Sequence, residues 1–326
     1  MSAFNPAATA GDPAFEPEID EQDGSQRASV GSLIRRRPAA LVGACILIAI
    51  ALTAILAPAL APYSIDDPSG AAYTPPSSAH WLGLSDQGFD VVSQLMWACR
   101  ISLLVGFAAA AVSIVIGGTV GIISGYFGGR TDLILTLVTD YFIVIPALPL
   151  LIVVAAVWGP SLVHIIVILG LLLWTTPARI IRAQVKSLRE RVYVRRARSL
   201  GAGHVHVIVR HIVPHVAPLL VANTILTVAT AIFSETALAF LGLGDPTADS
   251  LGKLIENAYE HDAATVGAWW VLLPPGILVA ILVLASTMVG LAVEDGLNPR
   301  SSHVIFAGGP LRRMRRRRER RPTQPR

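Results

Sequence analysis

Long apolar stretches without a formal charge alternate with shorter polar ones along most of the chain. Pro38 to Ile65, Ile101 to Gly129, Tyr141 to Ala178, Ile212 to Ser234 and Ala263 to Val293 contain no Asp, Glu, Lys or Arg. A helix needs about 20 apolar residues to cross the hydrocarbon core, so each stretch can hold a span. The third can hold two, because Gly159 and Pro160 break it and Leu133 to Thr139 extends its front end. The pattern predicts an all-α membrane protein with six transmembrane helices. The first 34 residues differ: they are polar and acidic (Asp12, Glu16, Glu18, Asp20, Glu21, Asp23), which reads as a disordered cytosolic tail without a cleavable signal.

Composition agrees. The chain is 53% hydrophobic and 15% charged, and its mean hydropathy of +0.60 lies far from the balance of a soluble globular enzyme. Charge then orients the spans. Arg27 and Arg35 to Arg37 precede the first, Arg130 follows the second, nine Lys or Arg lie from Arg179 to Arg210, and Arg300 and the Arg312 to Arg326 tail follow the last. The alternate loops hold Arg100 and Lys253 among acids such as Asp66, Asp67, Asp245, Glu256 and Glu260. By the positive-inside rule both termini are expected in the cytoplasm. This topology leaves outer loops at about Ala61 to Arg100 and Gly242 to Ala263, and an inner loop from about Ala183 to Val213. It also puts Cys45 and Cys99 near opposite faces, too far apart to bridge.

The inner loop reads as two short helices joined at a glycine. Leu188, Val192 and Leu200 form a rough apolar stripe, Arg191, Arg195 and Arg198 share a face, and Gly201 suits the left-handed position that ends a helix. A second apolar segment, Val205 to Val213, stops at Pro214. Taken alone, such a basic loop could equally serve only to fix topology.

The stretch YVRRARSLGAGHVHVIVRHIVPHVAPL, Tyr193 to Leu219, resembles the EAA loop of ABC importer permeases: Glu-Ala-Ala, three residues, Gly, then an apolar-Pro pair whose Pro stands thirteen positions after that Gly. Ala197, Gly201, Val213 and Pro214 fall on the pattern. Arg195 and Arg196 stand in place of its Glu and first Ala, and His211 in place of a usual Ile. Four further segments resemble the dipeptide, oligopeptide and nickel permeases, in the second subunit of the pair: HWLGLSDQGFDVVSQLMWACRISLLVG (His80 to Gly106, with Phe89 where Arg is usual), GYFGGRTDL (Gly125 to Leu133), ETALAFLGLGDP (Glu235 to Pro246) and EDGLNPR (Glu294 to Arg300).

The resemblance implies a type I importer permease, divided into a tail (1–34), a first helix with its outer loop (35–100), a permease domain (101–295) with a coupling loop at 187–214, and a basic tail (296–326). It implies three kinds of partner besides the lipid membrane: a second homologous permease completing the path, two cytosolic ATP-binding subunits, and an extracytoplasmic solute-binding protein. No Gly-x-x-x-x-Gly-Lys-Ser/Thr phosphate loop occurs, so the ATPase is expected on another chain and this one is expected to be non-catalytic. A segment from about Arg195 to His206 is the expected connector, bent at Gly201, with Pro214 opening the fifth span.

Acids beside the spans are candidates for the path or gate. Asp140, expected about 12 Å into the third span, can pair with Arg179 or Arg182, and Glu235 is expected near the outer rim. His204, His206, His211 and His215 have some metal-ligand spacing but no supporting cysteine, so no metal and no cofactor is expected. The Arg312 to Arg321 cluster fits anionic lipid better than nucleic acid. Ser124 has the wrong surroundings for a Gly-x-Ser-x-Gly nucleophile and is expected to pack. An ion-driven secondary transporter is the alternative; peptides and nickel are the alternative cargoes.

Overall fold

The computed structural model describes residues 38–297. They are almost entirely helical; the only β-type pairing among them is one isolated bridge between Leu84 and Asp90. Beside a single turn at Ala57–Leu60, the helices are α1 (Pro38–Ile55), α2 (Val91–Phe127), α3 (Gly129–Val144), α4 (Ala147–Trp158), α5 (Leu162–Arg189), α6 (Val192–Ser199), α7 (His204–Leu243), α8 (Leu251–Glu260) and α9 (Trp269–Leu297). Five of these, α1, α2, α5, α7 and α9, are individually long and apolar enough to cross a bilayer.

The third expected span is not one straight helix. It is the pair α3 and α4, bent by 83°, and the break falls at Ile145 and Pro146 rather than only at Gly159 and Pro160. Ile145 is extended (φ −74°, ψ 124°) because the ring of Pro146 crowds the helical conformation of the residue before it. Gly159 ends α4 at φ +83°.

The long helix α2 is the centre of the bundle. Its 37 residues span about 55 Å at 1.5 Å per residue, and it packs on α5, α7 and α1. Gly117, Gly121 and Gly125 recur every four residues and so line one face of α2. A Cβ at Gly121 would lie 2.7 Å from the Ala178 carbonyl, one at Gly125 2.8 Å from the Arg182 carbonyl, and one at Gly117 would strike the Trp174 carbonyl. The three glycines let the backbones of α2 and α5 touch, which is how membrane helices associate where lipid removes the hydrophobic drive.

Apolar packing is distributed along this axis. Near the start of α2, Leu95, Cys99 and Leu103 pack with Leu251, Leu254 and Leu282 of α8 and α9. In the middle Val105 and Ala109 meet Leu151 of α4 and Leu169 of α5. At its end Tyr126 packs with Ile181 and Val185 of α5, Val194 of α6, and Val207 and Ile212 of α7. Cys45 and Cys99 are both free thiols. We call the two extremities of α2 the loop end (Val91) and the connector end (Phe127).

Candidate functional site

The connector between α5 and α7 is shorter than the thirty residues expected, because α5 continues as helix to Arg189 and α7 begins at His204. What remains is α6 and a glycine turn. Ala202 N–H donates to the Ala197 carbonyl at 3.1 Å and Gly201 N–H to the Arg198 carbonyl at 3.0 Å, with Gly201 at φ +85°. These are the two bonds of a Schellman motif, which requires a left-handed residue four positions after the one whose carbonyl is captured. The spacing of Ala197 and Gly201 is thereby given a physical reason.

Only Val194 of α6 is buried. Arg195 and Arg196 point into solvent, and Leu200 is 88% exposed. The stripe expected from Leu188, Val192 and Leu200 does not form one face, since Leu188 is buried in the bundle while Val192 and Leu200 are not. An exposed basic helix with bare apolar residues at its end is suited to docking in another protein's groove.

Val213 and Pro214 do not open a separate span. The helix starting at His204 runs through them as a π-turn, Ile208–Ile212, in which Val213 N–H donates to the Ile208 carbonyl. Proline at 214 has no N–H to continue an α ladder, and its ring would press on the carbonyl four residues back; the wider turn relieves both. His204 to His206 thus belong to α7, and α6 stops before Gly201.

The connector end of α2 is held by several elements. Tyr126 is 3% exposed, and its hydroxyl shares a 3.0 Å hydrogen bond with His204 Nδ1. The Arg198 guanidinium lies 6.0 Å from the Tyr126 ring centre, and Arg189 donates to the Tyr126 carbonyl at 3.2 Å. Beside it, Asp132 in the first turn of α3 accepts from Ser124 at 2.6 Å, from both Nε and Nη2 of Arg182, and pairs with Lys186. This carboxylate was not among the expected site residues; the signal available was Asp132 just after Gly128 and Gly129, with Arg182 and Lys186 four apart. Ser124 packs as expected, and also anchors this hub.

Asp140 pairs with Arg179 at 2.7 Å, one of the two partners expected for it, and the two side chains are 50% and 56% exposed. They border a cavity of about 250 Å³ between α2, α3 and α5, lined also by Val120, Gly121, Ser124 and Thr139. Glu235 is turned into the protein beside the loop-end half of α2. It is 2% exposed and accepts from Ser102 of α2 at 3.2 Å, while Ser102 Oγ accepts the Leu251 N–H at 3.1 Å. The start of α8 is so bound to α2 and α7, and a Cβ at Gly252 would lie 2.6 Å from the Thr236 carbonyl. Among the described residues no cluster of three potential metal ligands forms. His211 and His215 instead lie against the Tyr193 ring.

At the loop end, Asp90 caps α2, accepting Ser93 N–H at 2.9 Å and His80 Nδ1 at 3.0 Å. Gly88 has φ +80°, and a Cβ there would strike the Gly70 carbonyl, so Gly88 and Asp90 both have structural reasons to be what they are. Asp245 accepts the Leu162 N–H at the start of α5 and the Thr247 hydroxyl. Chiefly through Thr247, its carboxyl is held below the ordinary carboxylate value.

The comparisons with known proteins agree with this architecture. A family described as binding-protein-dependent transport system inner membrane component matches residues 117–303, and the N-terminal TM domain of oligopeptide transport permease C matches residues 29–76. The chain is 38% identical over 281 residues to the oligopeptide transport system permease protein OppC of Mycobacterium tuberculosis, covering 85% of this chain and 96% of that protein. To OppC of Bacillus subtilis it is 33% identical over 297 residues (88% and 96%). To the dipeptide transport system permease protein DppC of Bacillus subtilis it is 32% identical over 270 residues (82% and 83%). The chain belongs to the binding-protein-dependent transport system inner membrane component family, and is a non-catalytic, multi-pass cell-membrane permease subunit of an ABC importer.

Proposed function

We propose that this permease imports short peptides as one of two related membrane subunits, driven by two cytosolic ATP-binding subunits and supplied by an extracytoplasmic solute-binding protein, with both termini in the cytoplasm. The names of the relatives, oligopeptide and dipeptide permeases, support the cargo. The observation that carries the coupling is α6: a short basic helix, packed on the bundle through Val194 and otherwise exposed, ended by the Ala197–Gly201 motif. Arg195 reverses the charge of the family's acid and Arg196 adds a second cation beside it, so both face an acidic patch on the ATPase. The half-exposed pair Asp140–Arg179 beside the cavity supports a gate at that site, since charges at such depth need water or a polar partner. The burial of Glu235 supports a role in seating α8.

Charge reversal tests the docking. Arg195→Glu with Arg196→Glu should prevent copurification of the ATP-binding subunits while the permease stays folded in the membrane. Normal assembly and normal coupling of ATP hydrolysis to uptake would refute the reading.

A further inference from the structure

The docking of α6 leaves open how its movement reaches the bundle. Val194 is its one buried residue. Gly201 lies just beyond it at a left-handed φ with no atom within 4 Å of where a Cβ would sit. Gly201 is therefore an open pivot, and Ala202 just after it packs on the bundle.

Tyr126 touches both arms of that pivot. Before it, Arg198 reaches the ring of Tyr126; after it, His204, the first residue of α7, bonds the hydroxyl and meets the ring edge to face at 5.7 Å and 79°. From a third side Arg189, the last residue of α5, donates to the Tyr126 carbonyl, and its guanidinium takes up the space beside Gly128. A buried phenol must keep a hydrogen-bond partner. As long as the ring stays buried, a displacement of His204 is carried to Tyr126 or breaks a bond that nothing else at the hydroxyl replaces.

We propose that Tyr126, through His204, is the positioning residue that passes connector movement into α2, which acts as a shaft from the ATPase side to the loop end. The proposal rests on the reading that α6 docks on the ATP-binding subunits. The shaft is suited to this: a continuous helix of 37 residues, welded to α5 by glycine contacts, whose far end is fixed by Asp90 and His80.

The test uses the complete importer with Cys45→Ser and Cys99→Ala, spin labels at Gln87 and Trp158, and distances measured without nucleotide and after trapping with ATP and vanadate. In the otherwise unaltered protein the Gln87 to Trp158 distance should shift on trapping. Tyr126→Phe, which removes only the hydroxyl, and His204→Phe, which keeps a ring, should cut that shift to roughly half or less, while His204→Gln, which can still bond the phenol, retains it. The two Phe changes combined should do no more than either alone, because they break one bond. The proposal is overturned if the parent shows no shift, if Tyr126→Phe shifts like the parent, or if His204→Gln fails as completely as His204→Phe with an equal fall in melting temperature. Copurification with the Arg195→Glu, Arg196→Glu protein reports on docking separately, so the two readings fail independently.

Discussion

At its loop end the polar groups that cap α2 are close to it in sequence: Asp90 caps the helix, His80 braces Asp90, and Gly88 turns the chain into it. At its connector end the restraints come from far away, from Arg182, Arg189, Arg198 and His204, and surround a short helix that is mostly bare. The cap at the loop end is built within one stretch of chain, which Trp270 of α9 anchors through the Leu84 carbonyl, whereas the connector end is a set of side-chain contacts between separate elements. A part that must present a fixed surface can be built the first way; a part that must receive motion needs the second, because individual contacts can shift without unfolding the element.

The comparison breaks most severely where both ends depend on the same seam. Gly121→Val should cost about 3 kcal/mol by overpacking α2 against the Ala178 carbonyl, seen as loss of folded protein in detergent extracts; an unaltered melting temperature would show that the seam is looser than the contact distance requires. Next is Asp90→Ala, expected to lower stability by about 2 kcal/mol through the lost cap and an unpaired His80, with ATPase assembly intact. Gly201→Ala should do the reverse. It costs about 1 kcal/mol for a left-handed alanine, too little to unfold the chain, but should weaken copurification of the ATP-binding subunits.

The smallest effect sharpens the comparison through pH. The Asp245 carboxyl has a folded value below its unfolded one, so the charged form is favoured by folding. Its contribution is complete above the unfolded value of about 3.9 and disappears as pH falls through the lowered folded value. The melting-temperature gap between the parent and Asp245→Asn should be constant from pH 7 to about pH 5 and narrow at more acid pH. A gap that widened with acid would reverse the sign assigned here.

Local features were legible in the sequence where the partner lies nearby. Ala197 and Gly201 make their bonds within six residues, so the helix stop could be read directly, and Pro214 announced irregular helix, though as a π-turn inside α7 rather than a new start. The pairing of Asp140 with Arg179 followed from charge and depth along two adjacent spans. Asp132 escaped notice because its partners Ser124, Arg182 and Lys186 lie on two other helices, and no period in the sequence relates them. The burial of Glu235 was hidden for the same reason: its neighbours Ser102 and Leu251 come from α2 and α8, and only the closed bundle shows that they enclose it. The bend at Pro146 was visible as a proline, but the apolar run around it continues unbroken, and hydropathy carries no angle.

Helix α7 carries a π-turn at Ile208–Ile212, followed by the α-helical run Val213–Leu238, and it ends where Gly242 turns left-handed at φ +75°. A π-turn holds one residue more than the α-turn it replaces. At 3.6 residues per turn, one inserted residue rotates everything after it by about 100° about the helix axis. Asn223, Thr227 and Glu235 all lie beyond that turn, so one inserted residue decides which face of α7 carries its buried polar groups.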